Sequence, residues 1–289
     1  MKKILYAVSL SLLSVAVLAA CQSSGTTVQS ANPQSAQPVP SAAEPVLQIS
    51  TGKEQQSWTV TTLMSHPARQ TVQTPDDPAY HQPRQWQAVP LRALLPSLKA
   101  GGHTQFKASD GFVATIADDT LLSAATPWIA FETAAKPWPA LGAGKPSAGP
   151  FYLIWTDAAR GNISQEQWPY QIASVAPVQS LTERFPALLP AASAPLKEQA
   201  LRGLQAYSRH CSVCHTLNKA GDASIGPDLN LPHNPTEYFQ EKMLRRLIRD
   251  PASVRTWPQQ SMPGFSKEVL SENELDDLLV YLKQMAAQR

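Results

Sequence analysis

The chain is short of cysteine, of net charge, of glycine and of long apolar runs. Only three cysteines occur in 289 residues: Cys21, Cys211 and Cys214. A four-ligand zinc site at the last two would need a second cysteine pair or a close histidine pair downstream, and neither is there. The net charge is +2, with no long basic block and no interleaving of aromatic and basic residues, which excludes nucleic acid as the partner class. Thirteen glycines stand against 26 prolines, a balance that favours extended connections and X-Pro boundaries over long helices. The apolar run from Ile4 to Leu18 is too short for a membrane span. What is present, with 43% hydrophobic residues, suits a globular chain long enough for two domains.

That apolar run follows Lys2 and Lys3 and closes on Leu18-Ala19-Ala20-Cys21, the pattern of an export signal over residues 1–20. The ending resembles a bacterial lipobox. The resemblance implies that Cys21 becomes a lipidated first residue, so that the protein is anchored to a membrane rather than spanning it. Gln22 stands where lipoproteins retained in the inner membrane often carry Asp, so the expected location is the periplasmic side of the envelope, with the outer membrane favoured. Residues 22 to about 45 hold almost no large apolar side chains and one charge, too little to offset the entropy of ordering them. Residues 21–45 therefore read as anchor and flexible tether.

"HCSVCHTL", residues 210–217, places two cysteines and a histidine within five positions. A Cys-x-x-Cys pair serves redox, zinc or haem chemistry, and the histidine that follows it at once selects haem. Cys211 and Cys214 would form thioethers to the vinyl groups, and His215 would offer an imidazole nitrogen to the iron. A thioredoxin-like pair follows a strand, whereas the segment before this one reads as a helix, with Leu201, Leu204 and Tyr207 at helical spacing around Gly203. Residues 235–254 form a second helical stretch and 271–287 a third. The third is opened by Ser271 and Glu274 as a capping pair, with Asp276 and Asp277 in the early turns. His210 reads as a surface residue.

From about residue 196 to the end the chain resembles a small class I cytochrome c. Gly203 and Tyr207 on the first helix and Tyr281 on the last match the family's packing positions. "IGPDL", Ile225 to Leu229, is similar to its proline loop, which implies that the Pro227 carbonyl accepts a hydrogen bond from His215. "SMPGF" is similar to its distal loop, which implies Met262 as the sixth iron ligand; His233 in "LPHNP" is the competitor. Two axial ligands leave no open site for oxygen or peroxide, so the resemblance implies electron transfer. Arg255 and Trp257 precede the methionine loop as candidate contacts to a haem propionate. Arg245, Arg246 and Arg249 form a basic helical face, solvated or facing an acidic redox partner.

Residues 46–190 contain no cysteine. Short strands are marked off by Pro and Gly: "WTVTTL", "FKASDGFVATI", "GPFYLIWT" and "WPYQIASVAPV", with "VPLRALLPSL" as a short helix, a mixed α+β pattern. "WQAVPLRALLP", "SDGFVATI", "IAFE", "GPFYLIW" and "WPYQIASV" occur in an order similar to the molybdopterin-binding domain of sulfite oxidase-like enzymes. In those enzymes a cysteine thiolate binds molybdenum. The matching stretch here, "QTVQTPDDPAYHQPRQ", has none, so the expectation is that fold without molybdenum cofactor. His66, His81 and His103 read as loop or surface histidines; His81 with Asp76 and Asp77 is a weak metal signal. The "KPWPALGAGK" segment, Lys136 to Lys145, resembles a surface loop beside the family's cofactor cleft.

The expected architecture is multidomain: an α+β, sulfite oxidase-like region over 46–190, then an all-α cytochrome c region over 191–289. The expected function is a lipid-anchored periplasmic cytochrome with one covalent haem c, exchanging single electrons with redox partner proteins, a carrier more than a catalyst, with the cofactor-free domain serving docking or ligand binding. The alternatives are a molybdenum-dependent sulfite dehydrogenase-like enzyme with a fused haem domain, and a haem peroxidase or sensor.

Overall fold

The computed structural model describes residues 44–257, 260 and 262–289. Cys21, the signal and all of the tether but Glu44 and Pro45 lie outside them. Among the described residues no helix is long and apolar enough to cross a membrane.

The first part is β-rich, in two sheets. One has the order β2-β1-β9-β5-β6, from β1 (Val46–Ser50), β2 (Gln55–Thr59), β5 (His103–Ala108), β6 (Val113–Ala117) and β9 (Ile172–Val178). Its strands pair antiparallel except β1 with β9. The other, all antiparallel, has the order β3-β4-β7-β8, from β3 (Gln70–Asp77), β4 (Gln82–Pro90), β7 (Thr126–Phe131) and β8 (Phe151–Thr156). Alternation in β1 sends Leu47 and Ile49 inward, whereas β8 is buried along all but its last residue, as its unbroken apolar run requires. Trp86, Trp155, Tyr152, Phe106, Phe131 and Phe151 fill the core. Four one-turn helices punctuate the strands: α1 (Val60–Met64), α2 (Leu91–Leu94), α3 (Asp118–Leu121) and α4 (Leu181–Arg184).

"WTVTTL" is not one strand. β2 stops at Thr59, whose hydroxyl accepts from Thr62 N–H while the Thr62 hydroxyl accepts from Thr59 N–H, a reciprocal cap that starts α1. His103 opens strand β5 instead of lying in a loop. His81 sits in the β3–β4 turn at φ 52°, and the neighbouring Asp77 spends its Oδ1 on the backbone N–H groups of Ala79 and Tyr80. Among the described residues no group of three or more His, Cys, Asp and Glu side chains is placed to hold a metal ion.

The second part is helical: α5 (Lys197–Ala206), α6 (Pro235–Tyr238), α7 (Glu241–Arg249) and α8 (Glu272–Ala286). Its core includes Leu188, Leu204, Tyr207, Leu244, Leu278, Tyr281 and Met285. α5 lies against α8 at Gly203, where a Cβ would fall 2.0 Å from the Asp277 carbonyl oxygen, so glycine is what lets the two backbones meet. Arg202 clamps the same crossing with two bonds to the Asp277 carboxylate, 2.8 and 3.2 Å long. The expected capping pair Ser271–Glu274 is in place. The single helical stretch expected over 235–254 is broken: Phe239 and Gln240 are extended (ψ 137° and 139°), so α6 ends after one turn and α7 begins anew at Glu241. Together the two parts, residues 43–289, form one compact unit.

Candidate haem-attachment site

α5 runs into a π-helical turn, Tyr207–Cys211, that delivers the cysteine pair to the junction of the two parts. His215 N–H bonds the Cys211 carbonyl at 2.9 Å, rolling the turn up so that Cys211, Cys214 and His215 share it. Tyr207 packs on Tyr281 with ring centroids 5.7 Å apart and donates its hydroxyl to the His215 carbonyl at 2.9 Å. The three residues expected to join the first and last helices are thus assembled as the resemblance implied.

His215 Nδ1 lies 2.7 Å from the Pro227 carbonyl oxygen. That oxygen can only accept, so Nδ1 carries the proton and Nε2 keeps its lone pair for a metal. Burial pushes the imidazole below its ordinary value despite the Pro227 bond, which favours the neutral, ligating form. Gly226 makes the approach possible: a Cβ there would fall 2.4–2.9 Å from three atoms of the imidazole ring. Asp228 fixes the loop beyond, accepting from the N–H groups of Asn218, Lys219, Asn230 and Leu231 and from the Thr216 hydroxyl.

Cys211 and Cys214 are free thiols. Although each residue keeps some surface, the protein crowded around its sulfur pushes the thiol up to about 12, with the Glu166 carboxylate adding to both and Asp110 to Cys214. Thiols held protonated are poor nucleophiles for disulfide exchange. A free thiol pair beside a histidine with one uncommitted nitrogen, under a glycine that leaves the ring room, suits a covalently attached haem.

Met262 is half-buried and packs against the helical core. Its loop is tied down by Arg249, whose guanidinium donates to the carbonyls of Phe265 (3.0 Å), Ser266 (3.1 Å) and Leu270 (2.5 Å), and by Phe265 N–H on the Ile248 carbonyl. Arg249 is therefore a loop anchor. The rest of the expected basic face is also engaged within the chain, Arg245 by Glu241 and Asp276 and Arg246 by the Ser253 hydroxyl. Arg255 stacks over the Trp257 ring at 4.8 Å, and Trp257 is 42% exposed. His233 is exposed.

His210 is the correction of most consequence. It is buried, and its Nδ1 lies 3.0 Å from Glu166 Oε2, with 0% and 5% of the two side chains exposed. Around this pair the β-rich part grips the cysteine turn. Val113 N–H bonds the Val213 carbonyl at 3.1 Å, and Ser224 N–H bonds the Gly111 carbonyl at 3.2 Å. Arg209 donates to the Asn162 carbonyl, and Asp222 takes bonds from Gln105 and Arg184. Val213 belongs to the β-rich core and Cys214 packs against it, while Cys211 packs against the helical core. A cavity of about 530 Å³ opens at the same seam, lined by Thr115 and Ile116 of β6, Leu201 and Gln205 of α5, and Ser212 and Val213 of the turn. Nothing local in "NISQEQW" marks Glu166, because its role depends on a contact 44 residues away.

Residues 200–286 match the family model for cytochrome c. The match covers α5 from Ala200 on, the cysteine turn, the Pro227 loop, the Met262 loop and α8, and the family implies a covalently bound haem c. No curated protein matches the chain. The coarse organisation is thus a β-rich region of two sheets followed by a cytochrome c-like helical region.

Proposed function

We propose that the protein is a lipid-anchored, periplasmic c-type cytochrome that carries single electrons through one haem c. The haem would be attached to Cys211 and Cys214 and ligated by His215 and Met262. The observation that carries the reading is the His215–Pro227 contact inside the Cys-x-x-Cys-His turn, which leaves the correct imidazole nitrogen free. When bound, the haem supplies reversible one-electron chemistry at a low-spin iron. The chain's own residues do the rest: Pro227 orients His215, Arg249 holds the Met262 loop, and Tyr207 and Tyr281 lock the helices that flank the turn. Arg255 and Trp257 are proposed to meet a propionate. The β-rich part is read as a sulfite oxidase-like fold that serves docking or ligand binding, and the absence of cysteine from 46–190 supports its lacking a molybdenum cofactor. Cys21 is the proposed lipidation site, and the partners are redox proteins of the envelope.

The test is expression in a host that matures c-type cytochromes. Expected are c-type absorption bands, a haem mass that survives denaturation, and iron near one equivalent per chain without molybdenum. Molybdenum at one equivalent would replace this reading with the sulfite dehydrogenase-like one. Met262→Ala should open the sixth position and admit carbon monoxide in the reduced protein, which the parent should refuse; carbon monoxide binding by the parent would favour the peroxidase or sensor.

A further inference from the structure

The β-rich part is built into the surroundings of the cysteine turn, and its charged groups there have no role in the reading above. Glu166 reaches across from the short helical turn Gln165–Gln167 and meets His210, the residue before Cys211, at 3.0 Å. Neither Glu166 Oε1 nor His210 Nε2 has a hydrogen-bond partner among the described residues. The pair is almost wholly enclosed, so its field is screened far less than that of a surface ion pair. Asp110 approaches the same turn from the β5–β6 hairpin but is exposed, and its Oδ1 takes the Phe112 N–H.

We infer that Glu166 of the β-rich part is the positioning and field-setting residue of the haem centre, orienting the attachment turn through His210 and favouring the oxidised iron. The inference rests on the haem reading proposed above. A buried carboxylate in contact with the residue before Cys211 stabilises the extra positive charge of ferric over ferrous iron, so it lowers the reduction potential. Burial is what chiefly raises both thiols, and the Glu166 carboxylate adds to the rise at each, with Asp110 adding at Cys214. Against burial, the contact with His210 holds the Glu166 carboxyl below its ordinary value, which keeps it ionised. The β-rich part thereby becomes a fixed wall of the redox centre that sets its potential.

The experiment is a redox titration of the full-length haem-bearing protein, parent against Glu166→Gln, Glu166→Asp and Asp110→Asn. Covalent haem is quantified by mass on each sample. Glu166→Gln should move the midpoint to more positive potential with haem content unchanged. Glu166→Asp withdraws the carboxylate by one methylene and should move it the same way by less; it carries the test if the Gln variant fails to fold. Asp110→Asn, exposed and screened, should leave the midpoint near the parent's at physiological salt. Unmoved midpoints in both Glu166 variants, or an Asp110→Asn shift as large as theirs, would overturn the inference. Absence of covalent haem from the parent would instead sink the haem reading, so the two failures are distinct.

Discussion

Replacing Gly203 by Ala tests whether the α5–α8 crossing is limited by backbone contact. The added Cβ would lie 2.0 Å from the Asp277 carbonyl oxygen, 2.6 Å from its carbon and 2.6 Å from Tyr281 Cβ. Two of these are main-chain atoms and cannot rotate away, so α8 must retreat by about 1 Å to restore the shortest separation that real Cβ atoms show. Overpacking of this kind costs roughly 3 kcal/mol, at the upper end of its usual range. The Tyr207–Tyr281 pair loses up to about 1 kcal/mol as its rings part. Alanine's better helix propensity returns about 1 kcal/mol. A net loss near 3 kcal/mol should lower Tm by roughly 6–12 °C in a unit of this size. The assay is thermal unfolding followed by far-ultraviolet circular dichroism and, in the haem-bearing protein, by the haem absorption. A Tm equal to or above the parent's would show that the helices do not touch at Gly203, and the argument for their fixed crossing would fail.

Gly226→Ala should displace the His215 imidazole, since its Cβ would meet three ring atoms within 3 Å; the expected sign is loss of the low-spin spectrum or of haem incorporation, read by absorbance. Asp228 predicts an acid limb. Burial works against its charge, but the N–H donors of Lys219, Asn230 and Leu231 and the Thr216 hydroxyl outweigh it and hold the folded value below the ordinary 3.8. Its contribution is therefore complete above that ordinary value and lost as pH falls through the depressed one. Asp228→Asn should flatten this part of the stability–pH curve below pH 4, measured by denaturant titration, and an unchanged curve would refute it.

Much of the helical half was legible because its signals are local. Cys-x-x-Cys-His and the Ser271–Glu274 cap each act over a few residues, whereas Gly203, Tyr207 and Tyr281 were found through the family resemblance. The strands of "GPFYLIWT" and "WPYQIASVAPV" followed from apolar runs bounded by turn residues. The break at Phe239 and Gln240 was hidden, since both fit a helical period and only the backbone there is extended. His210 and Glu166 were hidden for another reason. Burial of a charged pair is decided by which surfaces meet, and no pattern in either segment carries that information. Arg249 read as a solvated cation because its acceptors are the carbonyls of a loop 16 to 21 residues further on.

The two halves do not part cleanly at the residue where the composition changes. Val213, between the two cysteines, is interior to the β-rich core, while Cys211, two positions earlier, leans on the helical one. A cut near residue 190 would leave the helical half with an apolar side chain facing water in the middle of its attachment sequence, and would strip His210 of its carboxylate. The cytochrome-like half is thus not an interchangeable cassette. Grafting it onto another protein would carry over the motif but leave behind part of the surface that shapes it, and gene fusions that treat it as a self-sufficient plug-in should mature poorly.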